Sequence, residues 1–246
     1  MVRNVDYKER KDRLLAAAIG SYIRNDSPVS SQELCGAFDL SPASIRNLLA
    51  ELETEGLLTH PHTSAGRVPT DRGYRYYIDF LLKDLELSAE EKHSILKALK
   101  AGMASLEDIL EKASETIARL THYASVVSSQ KLNDRFFFSG LSNILEQPEF
   151  QDGKKLLPLV KILEEKRPLL DILNAKPERP LKVFIGEELR GLYLHNECAL
   201  VVSVYGRQRD IEGRIAVLGP RRMSYELTLP TVEFIAQALG EMLEDV

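Results

Sequence analysis

Apolar residues recur through the first part of the chain with the period of an α-helix. Leu14, Leu15, Ala18, Ile19 and Tyr22 fall on one face, which predicts a helix over residues 8–24. Asn25-Asp26-Ser27-Pro28 ends it. In "SSQEL", Ser30 and Glu33 have the spacing of a capping box, in which each side chain satisfies a free backbone amide. A helix of about eight residues is expected there, with Leu34, Ala37 and Phe38 inward. A third helix opens at Ser41, a strong N-cap, followed by Pro42, whose missing amide is not needed in a first turn. Ile45, Leu48, Leu49 and Leu52 make its buried stripe, and Gly56 suits a left-handed terminator. "LLTHPHTSAGRVP" then predicts two short extended arms around Ser64-Ala65-Gly66, with Gly66 taking a turn that a Cβ would strain. A tyrosine-rich helix follows from Thr70. Helix, short helix, turn, capped helix and two-stranded loop is the order of a winged helix-turn-helix, with the loop as the wing.

The pattern beyond residue 85 is different. Ser88 and Glu91 form another capping box, and apolar spacing runs from Ile95 to Leu120 with Gly102 as a break. This predicts a linker helix or helix pair over 88–125. "RFFFSG" reads as a strand, "SNILEQPEF" as a short helix and turn, and 153–174 as a helix carrying Pro158 and Pro168. "LKVFIG", "CALVVSVYG" and "GRIAVLGP" are β-branched runs bounded by Gly and Pro, hence three strands. Residues 231–244 close as an amphipathic helix. The expected class is α+β with an antiparallel sheet. Its parts are a winged-helix domain at 1–85, a helical linker at 86–129 and a mixed α+β domain at 130–246.

Composition narrows the functional classes. With 44% hydrophobic and 28% charged residues the chain is ordinary for a globular protein. No apolar run nears the length of a membrane span, and the N-terminus lacks the core of a signal peptide. Cys35 and Cys198 stand far apart, which argues against a disulfide framework and fits a reducing compartment. The net charge of −5 does not advertise nucleic-acid binding. A DNA-binding surface must therefore be local, and residues 60–75 hold Arg67, Arg72 and Arg75 against Asp71 alone.

Ser44, Arg46 and Asn47 lie off the buried stripe of the third helix. On that face Arg suits guanine and Asn suits adenine, since each offers a two-point hydrogen bond; the plainer reading is a solvated helix face. Together with Ser41 they form the helical half of a candidate DNA surface. His62, Thr63, Ser64, Arg67, Arg72 and Arg75 form the other half, as contacts to phosphate that need no base identity. His60 and His62 lack a third ligand nearby, so no metal site is expected. Tyr74, Tyr76 and Tyr77 split between helix faces, which favours packing over base stacking. Residues 219–223, "GPRRM", have the look of an anion-binding turn but receive no ligand. There is no phosphate-binding glycine loop and no Ser, His and Asp cluster in a recognisable setting. Glu187-Glu188 falls on an expected surface turn. No catalytic residue, cofactor or metal is assigned.

"SPASIRNLLAELETEGLLTHPHTSAGRVPTDRGYRYYID" closely resembles the DNA-binding region of the heat-inducible transcription repressor HrcA family. "THYASVV", "SNILEQPEF", "VFIGEE", "ALVVSVYG" and "GRIAVLGPRRMSY" resemble that family's GAF-like regulatory domain. The family carries a long stretch between the second-domain motifs, including an inserted dimerisation domain. Here Val127 and Phe136 are separated by only eight residues, so the chain looks like a shortened member. Leu48 stands where the family tends to be acidic; it either extends the core stripe or lies exposed. The resemblance implies a cytoplasmic bacterial repressor, not an enzyme. It implies a homodimer on an inverted-repeat, double-stranded operator ahead of chaperone genes, released on heat shock, with a chaperonin as a further partner. A protein-interaction module and a small-ligand sensor are the alternatives.

Overall fold

The computed structural model describes residues 2–61, 66–82, 85–101, 105–133, 135–151, 153, 157, 180–192, 197–207 and 210–243. It divides into two compact units, residues 1–84 and 85–246.

In the first unit α1 (Val2–Asn25) and α3 (Pro42–Thr54) share a core of Leu14, Leu15, Ile19, Ile45, Leu49 and Leu52, with Leu48 also buried. Leu48 thus belongs to the stripe. The short α2 (Ser31–Cys35) lies between them and is shorter than its pattern predicts. Only half of its capping box forms. Ser30 Oγ accepts from Glu33 N–H, but the Glu33 carboxylate turns to α1 and accepts from Ser21 Oγ. With the helix ending at Cys35, Ala37 is exposed and Phe38 is half-buried under Arg13.

α3 ends as its glycine requires. Gly56 has φ 71°, and Leu57 N–H bonds back to Leu52 O, six residues closing the turn. β1 (Leu58–Thr59) and β2 (Val68–Pro69) pair antiparallel, and Arg67 forms a bridge to Val29 as a third partner. Gly66 does not adopt a positive φ. Its reason is close approach, because a Cβ there would lie 2.6 Å from Val29 O. α4 (Asp71–Tyr76) starts at Thr70, whose hydroxyl accepts from Gly73 N–H and donates to Gly56 O at 2.7 Å. Tyr74 and Tyr77 are buried, and Tyr76 donates to Asp12 of α1 at 3.0 Å. The tyrosines are therefore packing groups. The end of α4 widens by one residue, with Leu82 N–H on Tyr77 O.

The second unit is built on a five-stranded antiparallel sheet in the order β4-β3-β7-β6-β5. The strands are β3 (Ala124–Ser129), β4 (Arg135–Ser139), β5 (Leu181–Ile185), β6 (Cys198–Arg207) and β7 (Asp210–Pro220). The helical stretch before it is two helices, α5 (Ala89–Lys100) and α6 (Leu106–Thr121). The Ser88–Glu91 capping box of α5 is complete. α6 packs on β3 and β4, and the last helix, α8 (Tyr225–Met242), packs on β6 and β7. α8 begins six residues earlier than its pattern predicts and carries Pro230 buried inside it. Tyr205 reaches across β7 above Gly213 and donates to Ser128 O of β3 at 2.7 Å. The opposite face of the sheet packs Val126, Leu200, Val202 and Leu218 against Ile144 of the short α7 (Leu141–Leu145), Phe150 and Leu189. An antiparallel sheet with its long helices on one face is α+β and GAF-like. The helix expected over 153–174 lies almost wholly outside the described residues.

Candidate nucleic-acid interface

The buried stripe of α3 determines what its other side offers. Because Ile45, Leu48, Leu49 and Leu52 face inward, Ala43, Arg46, Asn47 and Ala50 are exposed together. Ser44 is half-buried beside them. Ser41 caps the helix, accepting from Ser44 N–H at 3.1 Å, and its hydroxyl also meets that of Ser44 at 2.9 Å. Two alanines flank the Arg46–Asn47 pair. Their small side chains let the backbone approach a surface closely, and an alanine methyl suits the thymine methyl group. Reading for charge and hydrogen-bonding groups passes over Ala43 and Ala50; their recurrence seven residues apart is the signal that finds them.

α3 carries two carboxylates, Glu51 and Glu53, and its C-cap residue Glu55 adds a third, each held by a neighbour. Glu51 accepts from Tyr7 Oη at 2.6 Å, which raises the tyrosine pKa chiefly through that hydrogen bond. Lys11 of α1 reaches both Glu55 and Glu51. Glu53 meets His60 Nε2 at 3.3 Å and Arg67 Nε at 3.5 Å. These long-range partners have no local sequence signal.

The wing side is divided. His62, Thr63 and Ser64 lie outside the described residues. Arg67 sits at the wing's root, its side chain only 13% exposed. Arg72 is exposed near Gly56. Arg75 is half-buried and 3.7 Å from Asp79, four residues on. His60 is occupied by Glu53, and the described residues contain no group of three or more potential metal ligands. In the 219–223 turn, Arg222 is engaged by Glu149 at 2.6 and 3.1 Å, a structural pair between the turn and the short helix at 148–150. Of the Glu187-Glu188 pair, Glu188 accepts from Ile185 N–H and Glu187 pairs with Arg190. Among the described residues no helix is long and apolar enough to cross a membrane.

A winged helix-turn-helix with an exposed polar face on its third helix, joined in one chain to a GAF-like domain, has the build of a transcription repressor. A family model for the HrcA protein C-terminal domain matches residues 129–229. The heat-inducible transcription repressor HrcA of Pelotomaculum thermopropionicum is 26% identical over 339 residues, covering 97% of each chain. Those of Desulforudis audaxviator and Carboxydothermus hydrogenoformans are each 28% identical, covering 96% of this chain and 98% of the relative. A crystal structure of a protein described only as hypothetical shares the fold, with a TM-score of 0.75 at 19% identity over 96% of this chain and 98% of that one. Over nearly its whole length the chain is similar to the heat-inducible transcription repressors named HrcA. It is shorter than these relatives, since a 339-residue alignment against a 246-residue chain leaves at least 93 positions without a residue here.

Proposed function

We propose that this protein represses transcription by binding an inverted-repeat DNA operator as a homodimer, and that heating releases it. The observation that carries this reading is the exposed Ala43–Arg46–Asn47–Ala50 face of α3, opposite a fully buried stripe and capped at its N-terminus by Ser41. Laid in the major groove, that face offers Arg46 and Asn47 to base edges, with Ser41 and Ser44 at the end that enters first. Arg72, Arg75 and the wing residues His62, Thr63 and Ser64 supply phosphate contacts alongside. A two-fold dimer places two such helices in successive grooves, so the operator mirrors the protein's symmetry. The relatives are named for heat-inducible repression, and the proposal extends, through the family resemblance, to chaperone genes as targets, a cytoplasmic location and a chaperonin as a further partner.

The test is binding of the full chain to duplexes carrying an inverted repeat, recovered by selection from a randomised pool, across a range of salt. Specific binding that weakens steeply with salt and protects two half-sites is expected. Affinity equal to that for random duplex, at every salt, overturns the reading.

A further inference from the structure

The two arms of the wing converge on one carboxylate oxygen. His60 follows β1 and places Nε2 3.3 Å from Glu53 Oε2; Arg67 precedes β2 and places Nε 3.5 Å from the same atom. Arg67 is further fixed through its backbone, which exchanges two 2.9 Å hydrogen bonds with Val29. Beside it, Gly66 is pressed against the Pro28–Val29 main chain so closely that a Cβ would lie within 2.7 Å of it. The Arg67 Nε is shut off from solvent and has no hydrogen-bond acceptor among the described residues, so Glu53 is its electrostatic counterpart. A phosphate contact needs a guanidinium that faces outward, as the exposed Arg46 does. Turning Arg67 toward DNA would give up this pairing and leave Glu53 with His60 alone.

We propose that Arg67 is a positioning residue for DNA binding: through Glu53 it locks the wing to the last turn of the recognition helix and so sets where the wing tip meets the backbone. This rests on the DNA-binding reading above. It makes Glu53, a carboxylate on the DNA-reading helix, a residue that favours binding.

The two roles of Arg67 predict opposite signs for one substitution. Glu53→Gln removes a negative charge from the face turned to DNA. If Arg67 were a phosphate ligand, this change would leave binding equal or tighter. With the lock, it weakens binding about tenfold. Arg67→Gln weakens it by a similar factor, the double variant is no worse than either single one, and the salt slope stays that of the wild type. The exchange Glu53→Arg with Arg67→Glu keeps net charge and restores affinity to within about threefold. All are measured on the full chain with the selected duplex, each variant's fold being checked by thermal melting. Additive losses, an unimproved charge exchange, or a salt slope reduced by about one in Arg67→Gln would overturn the lock and return Arg67 to the phosphate contacts. A wild-type chain that binds no duplex sinks the DNA-binding reading itself, before any variant is compared.

Discussion

The hydroxyl oxygens of Ser114 on α6 and Ser125 on β3 lie 2.9 Å apart with both residues fully buried. Ser125 Oγ also reaches Ser114 O at 2.6 Å, and Ser114 Oγ reaches Phe137 O at 3.1 Å on the neighbouring strand. A helix is thereby knotted to two strands by groups that have no water to fall back on. Ser114→Ala should lower the stability of the second unit by about 1–3 kcal/mol, because its partners stay buried with a bond unmade. Ser114→Ala with Ser125→Ala should cost no more than the two single losses added, and less if the pair is coupled. Chemical denaturation followed by far-UV circular dichroism reads both; an unchanged midpoint in each single variant would dissolve the knot.

Base reading by Arg46 is the next expectation. Its exposure beside Asn47 predicts that Arg46→Ala loses about 1–3 kcal/mol on the selected operator and much less on random duplex. Gel-shift titrations on the two duplexes decide it. Equal weakening on both would reduce Arg46 to a phosphate anchor.

At alkaline pH the first unit should loosen. Tyr7 has a raised pKa through its hydrogen bond to Glu51, and Tyr76 through burial and then its bond to Asp12. A folded-state pKa raised above the ordinary 10.0 gives stability that is whole below pH 10 and lost as pH climbs through the folded value. Tyr7→Phe with Tyr76→Phe should flatten that decline relative to the wild type, in melts taken between about pH 8 and 11. Parallel wild-type and variant curves would mean that neither phenol senses its carboxylate.

Heat release should begin in the second unit. Among the described residues β4 and β5 are the edges of its sheet, and an edge strand holds on one side only. If release follows loss of the dimer contact there, amides of β5, β6 and β7 lose hydrogen-exchange protection at the temperature where operator binding fails, while residues 28–61 and 66–82 stay protected. Earlier loss of protection in the first unit, or release with both units intact, would refute this order.

The elements were largely legible because local rules wrote them. Ser41-Pro42, Gly56, Thr70 and Ser88 through Glu91 each act within a turn of their own position, and each does what its spacing predicts. Glu33 departs from its predicted role because Ser21, twelve residues away, is the better-placed donor. Gly66 was readable as a special position but for another reason, since the Val29 carbonyl that crowds it is distant in sequence. The start of α8 was hidden by Pro230, which breaks the local pattern but not the helix. The candidate interface follows the same division. The exposed face of α3 comes from its period, whereas the partners of Glu51, Glu53 and Glu55 come from α1 and the wing, and no spacing along α3 announces them.

The β3–β4 connection is a short turn, Gln130–Leu132 with Asn133 at φ 52°, between strands registered Ser129 to Arg135 and Ser125 to Ser139. That register is held by the strands' own side chains: Val127 and Phe137, buried opposite one another on the face toward α6, cannot slip by one residue without turning outward. The length of the connection is thus decoupled from the sheet it joins, and each doubling of a loop costs only about 0.6 kcal/mol. A longer segment inserted at this hairpin would therefore leave the pairing of β3 with β4 as it is.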